Sequence, residues 1–225
     1  MVKTNKKLLF LGIFFITGFI SLQIPFSKLA GSNISFTLFD FFGPISGAFL
    51  GPLYGIISVF AVEIVNVYIK HTPMTTASII RLFPLLFATL YFGYMSKTQM
   101  ANRWILLVPL ICIALFIAHP VGRSVWYYSL FWTIPVVAYF KKDNLFIKSL
   151  GATFTAHAVG GAAWIWALSL PAPVWNALIP TVIAERLLFA TGISVSYLAI
   201  KYALDFLASR KILPAYHDLQ KHQLS

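Results

Sequence analysis

The sequence predicts an all-α integral membrane protein that forms a single helical bundle. Of its 225 residues, 59% are hydrophobic and only 10% are charged, whereas a soluble domain carries about 25% charged residues. The mean hydropathy is +0.82, so the chain lacks the polar surface that a globule in water needs. Apolar runs follow one another from end to end with no soluble segment between them. We therefore expect one transmembrane domain over residues 1–225.

Eight apolar runs are candidate membrane spans, each judged against the roughly 17–25 residues that a spanning helix needs. They cover residues 7–25, 36–50, 53–70, 77–95, 104–119, 124–140, 145–169 and 175–206. The first run follows a basic start like that of a signal peptide, but no A-x-A-like cleavage site follows it, so we expect an uncleaved helix. Only Gly51-Pro52 separates the second and third runs, which predicts a helical hairpin with a tight turn. Six spans are the alternative, if two runs are re-entrant or interfacial.

The basic residues orient these spans. If the N-terminus is cytoplasmic, most of the 17 Lys and Arg residues fall in inner segments, and the outer segments hold only Lys28, Lys70 and Arg123. Cytoplasmic loops carry an excess of Lys and Arg. The prediction is a multi-pass protein of the plasma membrane with both termini, including the basic tail, in the cytoplasm. This placement also explains the net charge of +11 without a nucleic-acid partner.

Polar and ionisable side chains are predicted to concentrate in the outer half and the middle of the bundle. Depth follows from about 1.5 Å of rise per residue, and charged groups inside a membrane are costly and mark functional sites. The inner half is nearly bare of them, which indicates a pocket that opens outward. Trp164 is included as a surface on which a flat ligand would stack. The predicted substrate-binding residues are Asp40, Glu63, Asn66, Arg81, His157, Trp164, Glu185 and Arg186.

Each of these residues also has a structural interpretation. Ion pairs Glu63–Arg81 and Glu185–Arg186 would lock helices together, and His157 would be a hydrogen-bonded core histidine. Close helix packing is the corresponding interpretation of the glycines, because a face without side chains lets another backbone approach. The glycines expected at such contacts are Gly43, Gly47, Gly51, Gly55, Gly160 and Gly161.

The sequence contains no recognisable catalytic or cofactor signature. It has no G-x-x-x-x-G-K-[ST] phosphate loop, no H-E-x-x-H metal spacing and no G-x-S-x-G nucleophile turn. The single Cys112 excludes an intramolecular disulfide and a Cys-cluster metal site. A Ser46–His157 pair is only a weak candidate for hydrolysis. We therefore expect no enzyme activity, no cofactor and no bound metal.

A glycine-proline motif begins at Phe36 and reads F-x-L-x-D-x-x-G-P-I-x-G-x-x-L-G-P-x-x-G, and the apolar run after it bears Glu63. This region, about residues 8–70, resembles the substrate-binding S components of energy-coupling factor transporters. The resemblance implies a small helical binder of vitamins or micronutrients, usually of six helices with both termini cytoplasmic. It also implies an extracellular-facing site closed by the loop after the first helix. A transmembrane coupling subunit and two cytosolic ATPases would be its partners.

The expected function is therefore that of a membrane-embedded subunit that captures a small, vitamin-like metabolite and is energised by partner ATPases. Residues 25–35 would gate the site. Acids, arginines and aromatics together suit a flat heteroaromatic ligand with a polar or charged arm. Two alternatives stay open at this point. One is a self-sufficient transporter coupled to protons through Glu63, His157 and Glu185, and the other is a membrane scaffold protein without a ligand.

Overall fold

The computed structural model describes residues 2–28, 35–96, 103–168 and 170–210, and most of them are helical. The α-helices are α1 (Val2–Leu22), α2 (Phe39–Phe42), α3 (Ser46–Leu50), α4 (Pro52–Ile69), α5 (Thr76–Ser96), α6 (Leu107–Ala118), α7 (Pro120–Ser124), α8 (Ile134–Tyr139), α9 (Leu145–Leu168) and α10 (Ala172–Ser209). Three 3-10 segments cover Gly43–Ile45, Arg103–Leu106 and Trp126–Thr133. Two short strands, β1 (Pro25–Lys28) and β2 (Ser35–Thr37), pair antiparallel. The chain is thus predominantly α-helical, as predicted.

Within the described residues, three helices are long and apolar enough to cross a membrane, judged by length and composition alone: α4, α5 and α10. They coincide with three of the eight predicted runs. The 38 residues of α10 make it about 57 Å long at 1.5 Å per residue. It therefore exceeds the roughly 30 Å of a bilayer's hydrocarbon core.

Two of the predicted runs, 36–50 and 124–140, do not fold as continuous helices. The first is divided into the end of β2, α2, a 3-10 turn and α3. The second consists mainly of the 3-10 segment Trp126–Thr133 followed by α8. Each break coincides with a proline near a helix start, Pro44 or Pro135, where the missing N–H interrupts the hydrogen bonds of a longer helix.

Helix α9 is the centre of the fold, and it packs against α5, α6, α8 and α10. Small residues on α9 allow large neighbours to approach its backbone. A Cβ atom added to Gly161 would lie 2.5 Å from Cζ2 of Trp132, and one added to Gly151 would clash with the Tyr91 hydroxyl. The two rings therefore pack directly on the glycine backbone, and both are fully buried.

The predicted hairpin is formed by α3 and α4, which pack against each other on either side of Gly51. Gly51 has φ 87°, a backbone conformation that glycine adopts without strain. Gly47 and Gly55 face one another across the hairpin, so that a Cβ on Gly55 would lie 2.7 Å from the backbone nitrogen of Gly47. Gly47 also contacts the backbone of Gly93 on α5. Three helices thus approach one another at a point where no side chain fits.

The remaining glycines of the predicted set have different surroundings. Gly43 packs against the Leu85 side chain, while Gly160 meets only the Pro84 ring, at an ordinary contact distance of 3.4 Å. Gly43, Gly47, Gly51 and Gly55 follow one another at intervals of four residues, a spacing that would put them on one face of a continuous helix. They do not share a helix face, because Gly51 forms the turn between α3 and α4.

The strand pair β1–β2 connects α1 to α2 and is held to α10 by aromatic contacts. The Phe26 ring lies 4.8 Å from Phe41 and 5.4 Å from Phe189, and the Phe36 ring lies 5.0 Å from Phe189, measured between centroids. Strand β1 and the first residue of β2 belong to the predicted gating segment, residues 25–35, of which residues 29–34 lie outside the described part of the chain. Most of the predicted cytoplasmic tail, residues 211–225, also lies outside it.

Candidate functional site

A cavity of about 130 Å³ lies between α5, α9 and α10, next to β2 and α2. Most of its lining is apolar, and Trp164, Trp175, Phe189 and Pro84 contribute large surfaces. Polar side chains interrupt this lining on every one of these helices. They are Asp40, Arg81, Tyr128, Thr153, His157, Thr181, Glu185 and Arg186.

The structure brings most of the predicted substrate-binding residues to this cavity. Those that line it are Asp40, Arg81, His157, Trp164, Glu185 and Arg186. Glu63 and Asn66 are not among the lining residues. Asn66 is half-buried and accepts a hydrogen bond from Gln23 on α1, with 3.0 Å between Nε2 and Oδ1. That these residues bind a substrate stays a prediction.

Asp40 and Arg81 form an ion pair at the cavity wall. Arg81 Nη2 lies 2.6 Å from Oδ1 and 2.7 Å from Oδ2 of Asp40, and Asp40 is only 6% exposed. The backbone N–H of Thr37 donates to the same carboxylate at 2.8 Å. Asp40 therefore joins strand β2 to helix α5, and its acceptor sites are largely occupied.

The expected Glu63–Arg81 pair is wrong, because Arg81 bonds to Asp40 instead. The reason lies in local packing. Gly43 lets the Gly43–Ile45 segment approach Leu85 closely, and this contact carries Asp40, three residues before Gly43, to Arg81, one helical turn before Leu85. Glu63 is buried on α4, and its Oε2 has no hydrogen-bond partner among the described residues.

Arg186 is the most deeply buried cation in the cavity lining, with 5% exposure. Its Nη1 donates to Thr153 Oγ1 and its Nη2 to Glu185 Oε2, both at 3.3 Å. The predicted Glu185–Arg186 pair is thus present, but both residues belong to α10, so the pair does not join two helices. Of the two bonds that Arg186 makes here, the one to Thr153 links α10 to α9.

The Phe36 ring contacts both arginines of the cavity. Its centroid lies 5.2 Å from Cζ of Arg81 and 5.4 Å from Cζ of Arg186. The Phe189 ring also packs on Arg186, with its centroid 4.2 Å from Cζ. Cation–π attraction operates over such distances, so these rings stabilise charges that the apolar surroundings would otherwise disfavour.

His157 is held in one tautomer by two neighbours from the Trp126–Thr133 segment. The indole Nε1–H of Trp132 donates to Nδ1 of His157 at 3.1 Å, and Nε2 lies 3.0 Å from the Tyr128 hydroxyl. Because an indole N–H is only a donor, Nδ1 must be an acceptor, and the ring proton must sit on Nε2. His157 therefore donates to Tyr128 as a neutral imidazole.

The chain matches no protein-family model, no curated protein and no solved structure.

A hydrolytic Ser46–His157 pair is not formed. Ser46 is fully buried and donates to the Gly43 carbonyl oxygen at 2.6 Å, while both ring nitrogens of His157 bond to aromatic residues. Within the described ranges there is also no cluster of three or more His, Cys, Asp or Glu side chains that would hold a metal ion. What the cavity offers chemically is directed hydrogen bonding within apolar walls, an arrangement suited to binding.

Sequence reasoning missed several side chains of this site. Tyr128 and Trp132 lie in a run for which hydropathy predicts only a membrane span, and Phe36 enters the sequence argument only as the first residue of the glycine-proline motif. The density of aromatic residues in WYYSLFW, at positions 126–132, was the one available signal. Aromatic residues with a polar atom need hydrogen-bond partners when they are buried, and His157 was a candidate partner.

Proposed function

We propose that this chain is a multi-pass membrane protein that captures a small metabolite in the cavity between α5, α9 and α10. The observation that carries the proposal is the cavity lining, where two arginines, two acids, a histidine and a tyrosine interrupt walls that are otherwise apolar. Ligand sites are concave, mostly apolar and provided with a few placed polar groups.

In this proposal the chain is the substrate-binding subunit of an importer. The sequence contains no nucleotide-binding loop, so energy would come from partners, namely a transmembrane coupling subunit and cytosolic ATPases, as the resemblance to energy-coupling factor S components implies. Both termini would be cytoplasmic. The length of α10 supports this orientation. Its last turns, with Lys201, and Arg210 directly after its end would extend beyond the hydrocarbon core on the side where basic residues accumulate.

The strand pair β1–β2 is the proposed gate. Phe36 of β2 forms part of the cavity wall and contacts both arginines. Movement of β2 would therefore open the cavity and expose both guanidinium groups at once. The hydrogen bonds that Asp40 accepts from the Thr37 backbone and from Arg81 would keep this gate closed.

The first experiment is to purify the chain from its native membrane in mild detergent and identify bound molecules and co-purifying subunits by mass spectrometry. A retained small molecule together with a membrane subunit and an ATPase pair is the expected result. Gly160→Leu should lower retention without unfolding the protein, since Gly160 lines the cavity and only Pro84 lies near its Cβ position. Gly12→Leu is the matched control, because Gly12 is exposed and faces open space. Finding neither ligand nor subunits would contradict the proposal.

A proton-coupled transporter is the second candidate, and one observation favours it. Glu63 is a buried carboxyl group whose Oε2 has no partner in the part of the chain that the structure describes, as expected of a group that takes up and releases a proton inside a membrane. His157 is poorly suited to this role, because both of its ring nitrogens are engaged. Uptake by the purified chain in liposomes, driven only by a pH gradient and abolished by Glu63→Gln, would establish this candidate and exclude the need for ATPases.

A further inference from the structure

Arg186 has more hydrogen-bond donors than the described residues satisfy. A guanidinium group carries five N–H bonds, and Arg186 makes two hydrogen bonds within the described part of the chain, each at 3.3 Å. Charge-assisted hydrogen bonds are normally about 2.7–2.9 Å long, so both are weak. Its Nε is buried and has no partner among the described residues. A further acceptor in the cavity would satisfy these donors and so stabilise the buried cation.

Tyr128 adds another donor to the same cavity. The hydroxyl oxygen of Tyr128 receives the Nε2–H of His157, since Trp132 occupies Nδ1. The hydroxyl hydrogen is therefore not used in that bond, and the side chain is 1% exposed and lines the cavity. The Trp132–His157–Tyr128 chain thus orients one O–H donor for a ligand.

The acidic groups of the cavity are already engaged by protein partners. Asp40 accepts two bonds from Arg81 and one from the Thr37 backbone, so its oxygens are committed to protein partners. Glu185 already interacts with Arg186. A cationic ligand would have to displace these contacts, whereas an anionic ligand would complete the bonding of Arg186 and Tyr128.

The remaining lining sets the size and character of the ligand. A cavity of about 130 Å³ is comparable to the roughly 150 Å³ cavity in which benzene binds. Its broad walls are Trp164, Trp175 and Phe189, surfaces on which a ring packs. We infer that the ligand is a compact monocarboxylate about one aromatic ring in size, and that Arg186 and Tyr128 bind its carboxylate. This inference rests on the proposed role of the cavity as a ligand site.

Three probes of nearly the same shape test the inference: benzoate, neutral benzamide and cationic benzamidine. Their binding to the purified full-length chain in nanodiscs is measured by isothermal titration calorimetry. Benzoate should bind at least tenfold more tightly than either of the others, because hydrogen bonds to a charged group are the stronger ones. Tyr128→Phe should weaken benzoate binding about tenfold and leave benzamidine unaffected.

Arg186→Gln should abolish the preference for benzoate over benzamide. The matched control is Arg210→Gln, an exposed position at the end of α10, which should change nothing. If Arg186→Gln does not fold, Tyr128→Phe gives the decisive comparison, since it removes a single oxygen atom.

The inference is overturned if the folded protein prefers benzamidine, does not discriminate among the probes, or binds none of them. It also fails if the molecule retained by the native protein lacks a carboxylate, although the proposed capture function would then stand. The reverse outcome, benzoate binding without any retained metabolite or transport, would refute the function and leave the specificity of the cavity intact.

Discussion

Replacing Asp40 with asparagine removes one charge from a buried ion pair and leaves Arg81 in place. The carboxylate is 6% exposed and the Arg81 side chain 16%, and their closest atoms are 2.6 Å apart. Removing one partner of a buried pair costs about 3–5 kcal/mol, because the other charge is left uncompensated. Arg81 has some access to the cavity, and Asn can still accept from Thr37. We therefore expect the lower end of that range, about 3 kcal/mol.

The assay is equilibrium unfolding of the purified chain in detergent, followed by tryptophan fluorescence. Asp205→Asn makes the same chemical change at an exposed position on α10 and should alter the free energy of unfolding by no more than about 0.5 kcal/mol. Arg81→Gln and the double variant complete a double-mutant cycle. If the pair acts as described, the double variant loses much less than the sum of the single variants. Equal effects of Asp40→Asn and Asp205→Asn, or costs that simply add, would show that the Asp40–Arg81 pair does not stabilise the fold.

Three further predictions follow from single contacts. Gly47→Ala should cost about 1–3 kcal/mol in the same unfolding assay, because its Cβ would clash with the Thr89 carbonyl oxygen, whereas Gly12→Ala, which meets no atom within 4 Å, should not destabilise the chain. Phe36→Leu should cost about 1 kcal/mol through lost cation–π contacts with both arginines, and an unchanged unfolding curve would contradict this. Nitrogen-15 NMR of the imidazole should show His157 as the Nε2–H tautomer, and a signal from an Nδ1–H or doubly protonated ring would disprove the hydrogen-bond assignment.

Hydropathy located the helices α4, α5 and α10 to within a few residues, because a long apolar run has few other ways to satisfy its backbone in a membrane. The same signal could not divide run 36–50 into a strand, two short helices and a 3-10 turn. All of these pieces are apolar, and periodicity does not separate short buried strands from short helices. Their order depends on where Pro44 and Gly51 interrupt hydrogen bonding and on contacts with α5 that no local pattern encodes.

Polar residues in apolar runs predicted the location of the cavity better than they predicted which charged residues pair. Buried charges are less costly where other polar groups can compensate them. The cost of burial alone therefore predicts that most of these residues share one cavity. Which residues pair depends on how helices rotate and pack. Arg81 interacts electrostatically with both Asp40 and Glu63, yet it bonds to Asp40, whose carboxylate is also fixed by the Thr37 N–H.

Tyr128 and Trp132 were missed for a related reason, because aromatic residues with one polar atom count as apolar in a hydropathy profile. In the folded chain that single atom decides their role. The indole N–H of Trp132 fixes the tautomer of His157, and His157 in turn leaves the Tyr128 hydroxyl hydrogen for the cavity. In the proposed ligand site His157 would therefore act through Tyr128 and not by its own charge. The cavity lining combines a neutral donor, Tyr128, with the cationic Arg186, and such a combination favours an anion over a cation.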